Sequence, residues 1–147
     1  MKKVLLLAFM AFLFIGCSAK GPSFEKFEEP ETDKALLYVY RDGFMGAGVY
    51  YDIHVKDGDK DVTIGTLRNK GYLKTTLESN REVEIWAKTE ARNSIILNTK
   101  PNELYCIKSY VGMGFLVGHP HFEKVSIDTC KKEIIKTNLS IDTNTTK

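Results

Sequence analysis

The sequence has almost no excess of either charge: 21 Lys and Arg stand against 19 Asp and Glu in 147 residues, a net charge of +2. With no basic stripe to neutralise a phosphate backbone, a nucleic-acid partner is not expected. Proline is scarce at 4, glycine modest at 11 and aromatic content 11%, which excludes a collagen-like fibre and a polar disordered chain. Long apolar runs are lacking too, apart from one at the N-terminus, so a multi-span membrane protein is excluded. Catalytic signatures are missing: no G-x-S-x-G elbow, G-x-x-x-x-G-K phosphate loop, H-E-x-x-H helix or dinucleotide fingerprint occurs. An enzyme is therefore not expected, nor a cofactor, and the length suits one domain.

What is present is most informative at residues 1–17. Met1-Lys2-Lys3 is positively charged, Val4 to Ile15 is unbroken apolar sequence, and Gly16-Cys17 ends it, the layout of a secretory signal peptide. These twelve apolar residues fall short of the ~20 that span a hydrocarbon core. The ending Leu13-Phe14-Ile15-Gly16-Cys17 resembles the bacterial lipobox. That resemblance implies diacylglycerol on the Cys17 thiol, cleavage just before it and acylation of the new amine. A thiolate is the nucleophile such a reaction needs. Each buried CH₂ adds about 0.8 kcal/mol, so two or three chains hold where one is marginal. A transmembrane anchor and a plain cleaved signal are the competing readings. Loss of residues 1–16 takes Lys2 and Lys3 with it, so the remaining 19 basic residues equal the 19 acids and the mature chain is neutral. Ser18, not Asp, follows the cysteine. By the sorting rule of enteric bacteria this places the protein in the outer membrane, facing the periplasm.

Residues 17–34 read as the lipidated N-terminus and a flexible tether, acidic, with Pro22 and Pro30 and no regular period. Phe24 and Phe27 are exceptions, equally suited to docking on the domain or staying in solvent. Residues 35–136 then read as short strands and turns. The segments ALLYVYR (35–41), VYYDIHVK (49–56), VTIGTL (62–67), YLKTTL (72–77), REVEIWAK (81–88), SIILNT (94–99) and LYCIKSYV (104–111) are rich in β-formers. The second alternates cleanly, and in the fifth Val83, Ile85 and Ala87 face inward with Trp86 outward. About seven strands at roughly ten-residue spacing predict an antiparallel, immunoglobulin-like β-sandwich. An extended piece follows at 121–127. One short C-terminal helix is then expected, capped by Ser126 or Asp128, with Ile134 and Ile135 packed on the sandwich. Residues 137–147 read as a polar tail.

Together these segments resemble a family of bacterial lipoproteins, the domain-of-unknown-function family 2846. The resemblance rests on ALLYVYR and its glycine-containing loop, on Val62-Thr63-Ile64-Gly65-Thr66-Leu67 leading to Gly71-Tyr72, and on LYCIKSYVGMGFLVGHP with its trailing FEKVS. It covers about residues 33–136. It implies a small β-sandwich behind a lipoprotein signal, without established enzymatic activity, and supplies no active-site residues. Glu78-Ser79-Asn80 and Asn102-Glu103 stand where that family often has Pro-Gly and Gly, and both remain good turn chemistry.

With Cys17 lipidated, Cys106 and Cys130 form an even pair in a compartment where disulfides form. A structural disulfide would clip the helix to the last regular strand. Two buried free thiols and a redox pair are the alternatives, although no C-x-x-C occurs. His119 and His121, with His54 from another strand, offer three imidazoles, but surface histidines are the simpler reading and no metal site is expected. Two surfaces are candidates for binding. Met113-Gly114-Phe115-Leu116-Val117 is an apolar loop, which either folds back over an open end of the sandwich or binds a partner. Tyr38, Tyr40, Tyr50 and Trp86 are expected to form an aromatic patch beside Arg41. The functional expectation is a non-catalytic, membrane-anchored envelope module with a protein partner. Recognition of envelope polysaccharide or a small ligand is the alternative, and a redox or hydrolytic enzyme stands behind both.

Overall fold

The segment ALLYVYR has no polar alternation, and its strand is covered on both faces. A computed structural model describes residues 18–141, so Cys17, the signal peptide and residues 142–147 lie outside it. The first strand, β1 (Lys34–Arg41), is buried at every position from Ala35 onward. Eight more strands follow: β2 (Tyr51–Asp57), β3 (Lys60–Leu67), β4 (Gly71–Glu78), β5 (Glu82–Lys88), β6 (Arg92–Asn98), β7 (Leu104–Gly112), β8 (His119–Val125) and β9 (Asn138–Leu139). One helix, α1 (Ile127–Ile134), lies between β8 and β9.

The strands form two sheets, β8-β7-β1-β4-β9 and β3-β2-β5-β6, packed as an all-β sandwich. Most neighbours are antiparallel, but β1 pairs with β7 in parallel, and β4 with β9 likewise. The all-β sandwich with one C-terminal helix is as expected; the two parallel pairs and two strands beyond the seven, β8 and β9, are what the structure adds. The extended piece expected at 121–127 is β8, which starts at His119 and stops at Val125 because Ser126 and Ile127 open the helix, and β9 is carved from the expected polar tail. The parallel pair arises because the chain leaves β1 to build the other sheet and returns at β7 to cover its remaining edge.

Between the sheets, Ala35, Leu37 and Val39 of β1 pack with Ile53, Leu67, Val83, Ile85, Ala87, Leu97 and Ile107. Val83, Ile85 and Ala87 are the inward residues their alternation predicts. The other face of β1, with Leu36, Tyr38 and Tyr40, meets a second apolar layer built from Cys106, Cys130, Ile134, Tyr72 and Phe24. Helix α1 supplies one half of that layer. Ser126 caps it by accepting the Thr129 N–H at 3.1 Å, Cys130 and Ile134 point inward, and Cys130 is joined to Cys106 in a disulfide. Ile135 is 60% exposed rather than packed.

The N-terminal segment supplies the other half, and here the tether reading is overturned. Phe24 is buried in edge-on contact with Phe27, Tyr38 and Tyr72, at ring separations of 5.0, 5.9 and 5.5 Å. The backbone is bonded too. Ala19 N–H donates to Asn69 O at 2.9 Å, Gly21 N–H to Leu139 O and Phe24 N–H to Thr137 O at 3.0 Å, and Leu139 N–H to Pro22 O at 2.8 Å. Farther on, Glu28 N–H donates to the Tyr38 hydroxyl and its carboxylate pairs with Lys74. Residues 18–33 are therefore a strap along the outer face of the five-stranded sheet. A free tether would expose two phenylalanines and leave Tyr38 and Tyr72 uncovered, which burial of apolar area opposes.

Two stability measurements follow. Phe24→Ala is expected to cost about 3 kcal/mol, within the range for large-to-small aromatic substitutions in a core, read from the urea unfolding midpoint. Replacing both Cys106 and Cys130 by Ala opens a loop with a sequence separation of 24. The loop-closure model assigns that about 3 kcal/mol, measurable in the same experiment against the oxidised protein.

Candidate functional site

Register places four loops at one end of the sandwich. Arg41 faces Gly71, Tyr51 faces Leu67, Lys88 faces Arg92 and Gly112 faces His119. Residues 42–50, 68–70, 89–91 and 113–118 therefore project together. At this end Phe44 is 80% exposed, Met113 and Phe115 94% and Leu116 83%, with Met45 also open to solvent. The 113–117 loop thus does not fold back over the end of the sandwich.

Two buried or bonded charges hold these loops. Arg41 is only 1% exposed. Its guanidinium donates to Val49 O at 2.6 Å, Met45 O at 3.0 Å and Gly46 O at 2.5 Å. It also lies 6.0 Å from the Tyr51 ring, and burial pulls its pKa down. Arg41 is thus removed from the binding surface and becomes the bracket of the 42–50 loop. Gly46 has φ +68°, and a Cβ there would stand 2.8 Å from Val111 Cγ1, so glycine lets this loop lie against β7.

Glu90, in the β5–β6 turn, does the same for the second loop. Its carboxylate accepts from the N–H groups of Phe115 at 3.2 Å, Leu116 at 2.9 Å and Val117 at 2.7 Å. His119 Nε2 lies 3.4 Å away, and Thr89 Oγ1 donates to Gly118 O at 2.9 Å. The Val117 N–H leads in holding the Glu90 carboxyl below the usual carboxylate range, reinforced by the Leu116 and Phe115 amides. A carboxylate bound by several backbone amides behaves in this way. The only acids in the four loops are Asp42 and Glu90, and both are engaged internally, Asp42 with Lys108 at 3.2 Å.

The expected aromatic patch is not assembled. Tyr38 and Tyr40 belong to the layer under the strap and helix, and the Tyr40 hydroxyl donates to Glu133 at 2.6 Å. Tyr50 stands at the loop end, its ring 5.0 Å from the Arg68 guanidinium. Trp86 lies on the outer face of the other sheet, stacked on His54 at 3.9 Å, with Arg92 at 4.1 Å and its Nε1 donating to Asp61 at 3.1 Å. Alternation had placed Trp86 outward correctly. It could not say that Tyr38 and Tyr40 point outward from the opposite sheet and are then covered.

The histidines stay apart as well: His54 is on β2, His119 beside Glu90, and His121 stacked on Tyr110 at 5.2 Å. Among the described residues no cluster of three His, Cys, Asp or Glu side chains gathers as metal ligands. Cys17 lies outside the described residues, one position before Ser18, which is bridged to Asn69 in the β3–β4 turn. Ser18, the first described residue, and the exposed loops therefore belong to the same end of the sandwich.

A Haemophilus influenzae protein, described as "Uncharacterized protein", is 30% identical over 118 residues, spanning 80% of this chain and 67% of its own length. This chain belongs to the family of that protein. No family model matches.

Sequence reasoning missed three components of this end. Phe44-Met45 sits between Gly43 and Gly46, the same apolar-between-glycines signal that marked 113–117, and was readable. Glu90 gives no such signal, because an acid in a Thr-Glu-Ala turn is ordinary. The strap was legible only as two phenylalanines in an acidic stretch.

Glu90 generates a pH prediction. Its folded pKa is depressed, so its hold on the loop is complete above the ordinary glutamate pKa and is lost as pH falls through the lower folded value. Amide proton shifts of Phe115, Leu116 and Val117 should stay constant from neutrality down to about pH 4.3 and move together below it. In Glu90→Gln these amides should exchange rapidly at neutral pH while the β1 amides remain protected.

Proposed function

We propose that this protein is a non-catalytic, lipid-anchored module of the bacterial envelope, held at the outer membrane facing the periplasm and presenting its β-sandwich to a protein partner. The observation that carries this reading is the junction at Cys17. A lipobox-like sequence ends there, and the next residue, Ser18, is already bonded into the fold. A disulfide between Cys106 and Cys130 suits an oxidising compartment. The surface offered for the partner is the outer face of the four-stranded sheet, where Trp86 is pinned between His54 and Arg92 and Ile96 is exposed. A rigid aromatic beside an arginine is the composition of interface anchors.

Recognition of a glycan or small ligand finds less support, since the aromatics it needs are divided among three surfaces. A groove of about 200 Å³ between Val62, Ile64 and Leu77 is smaller than the ~300–1,000 Å³ typical of ligand sites. A second depression of about 390 Å³, by Lys56, Glu82, Glu84 and Ile96, is rimmed by charge and lies on the same outer sheet face as Trp86.

Intact mass of protein extracted by detergent from its native membrane tests the anchor. The expected mass is chain 17–147 plus diacylglyceryl and acyl groups, with Cys106 and Cys130 alkylated only after reduction. An unacylated mass with the protein in the soluble fraction would refute the anchor, and alkylation without reduction would return the redox reading to consideration.

A further inference from the structure

The strap and the exposed loops meet in a way that a free tether would not require. Ser18 and Ala19 are fixed to Asn69, at the end of the sandwich that carries the loops 42–50 and 113–118. Any acyl chains on Cys17 therefore begin within one residue, about 3.8 Å between Cα atoms, of a residue seated at that end. We propose that the loop end is a membrane-docking surface: Phe44, Met45, Met113, Phe115 and Leu116 enter the interfacial region of the bilayer that holds the anchor. This rests on the reading of Cys17 as lipid-bearing, and adds that the domain stands loops-down on the membrane instead of swinging from it.

Three further observations favour a lipid surface over a protein one. The projecting side chains are long, flexible or aromatic and come from two separate loops, so they form prongs rather than a continuous flat patch. The acids of these loops are engaged internally, whereas Lys20, Lys70 and Lys88 stand exposed around them, the charge pattern that anionic headgroups attract. The backbone of the 113–118 prong is satisfied in advance, because Glu90 takes the N–H groups of residues 115–117. Backbone amides left open are what makes irregular loops costly in a bilayer.

The test uses the full mature lipoprotein in vesicles of phosphatidylethanolamine and phosphatidylglycerol, with lipids brominated near the headgroup end of the acyl chains. Trp86→Phe removes the sole tryptophan, and Phe115→Trp or, as a control on the outer sheet face, Ile96→Trp is then added. Because Phe115 is 94% exposed, the variant should keep the thermal midpoint of the parent. Leu116→Trp reads the same loop should the Phe115→Trp protein not accumulate. The expected result is a blue shift and strong quenching from position 115 with neither from position 96, and loss of the quenching when Leu116→Asp is added. Equal or absent quenching at the two positions, in a sample whose mass includes the acyl groups, overturns docking and leaves the anchor intact. A sample without acyl groups overturns the anchor, and this inference with it. Photo-crosslinking from position 115 to an envelope protein, without lipid quenching, overturns docking in favour of a protein interface.

Discussion

A strand buried on both faces needs two partners, and β1 imposes that requirement on the rest of the molecule. One face of Lys34–Arg41 is satisfied by the opposing sheet, as in any sandwich. The other carries Leu36, Tyr38 and Tyr40, which no second sheet covers. Helix α1, clipped by its disulfide, takes one side of that face, and residues 18–33 take the other. The covering segment is also the segment nearest Cys17. The packing needs of an interior strand thus decide the course of residues 18–33.

The loop end inverts the usual economy of loops, in which polar side chains face water. Here Arg41 and Glu90 turn to the backbone, while Phe44, Met45, Met113, Phe115 and Leu116 project. Arg41 gathers three carbonyls and Glu90 gathers three amides. Each satisfies main-chain groups that an irregular segment leaves without a strand neighbour. These bonds tie the loop backbones to the sandwich with Phe44 and Phe115 left exposed.

Seven of the nine strands were legible because β-branched and aromatic residues between turn signals mark them locally. The inward set of β5 followed from period two, and the even cysteine pair matches the disulfide between Cys106 and Cys130. What could not be read depends on distant partners. The parallel pairing of β1 with β7 is a property of topology, and two-residue β9 has no period to detect. Arg41 looked like a surface cation because its carbonyl partners lie in a loop whose path no local pattern fixes. The candidate site was half visible: Phe115 stood out as an apolar residue among glycines, whereas its support by Glu90 comes from a turn 25 residues earlier.

The bonds that seat the strap have a consequence for the order in which the protein is made. Gly21 and Phe24 donate to Leu139 and Thr137, and Leu139 donates back to Pro22. The first residues of the domain are thus closed by nearly the last. A chain made from its N-terminus presents residues 18–24 long before 137–139 exist. Throughout that interval residues 21–24 lack their C-terminal partners. Arrival of the C-terminal residues then seats the strap, so the first residues of the domain are among the last to find their partners.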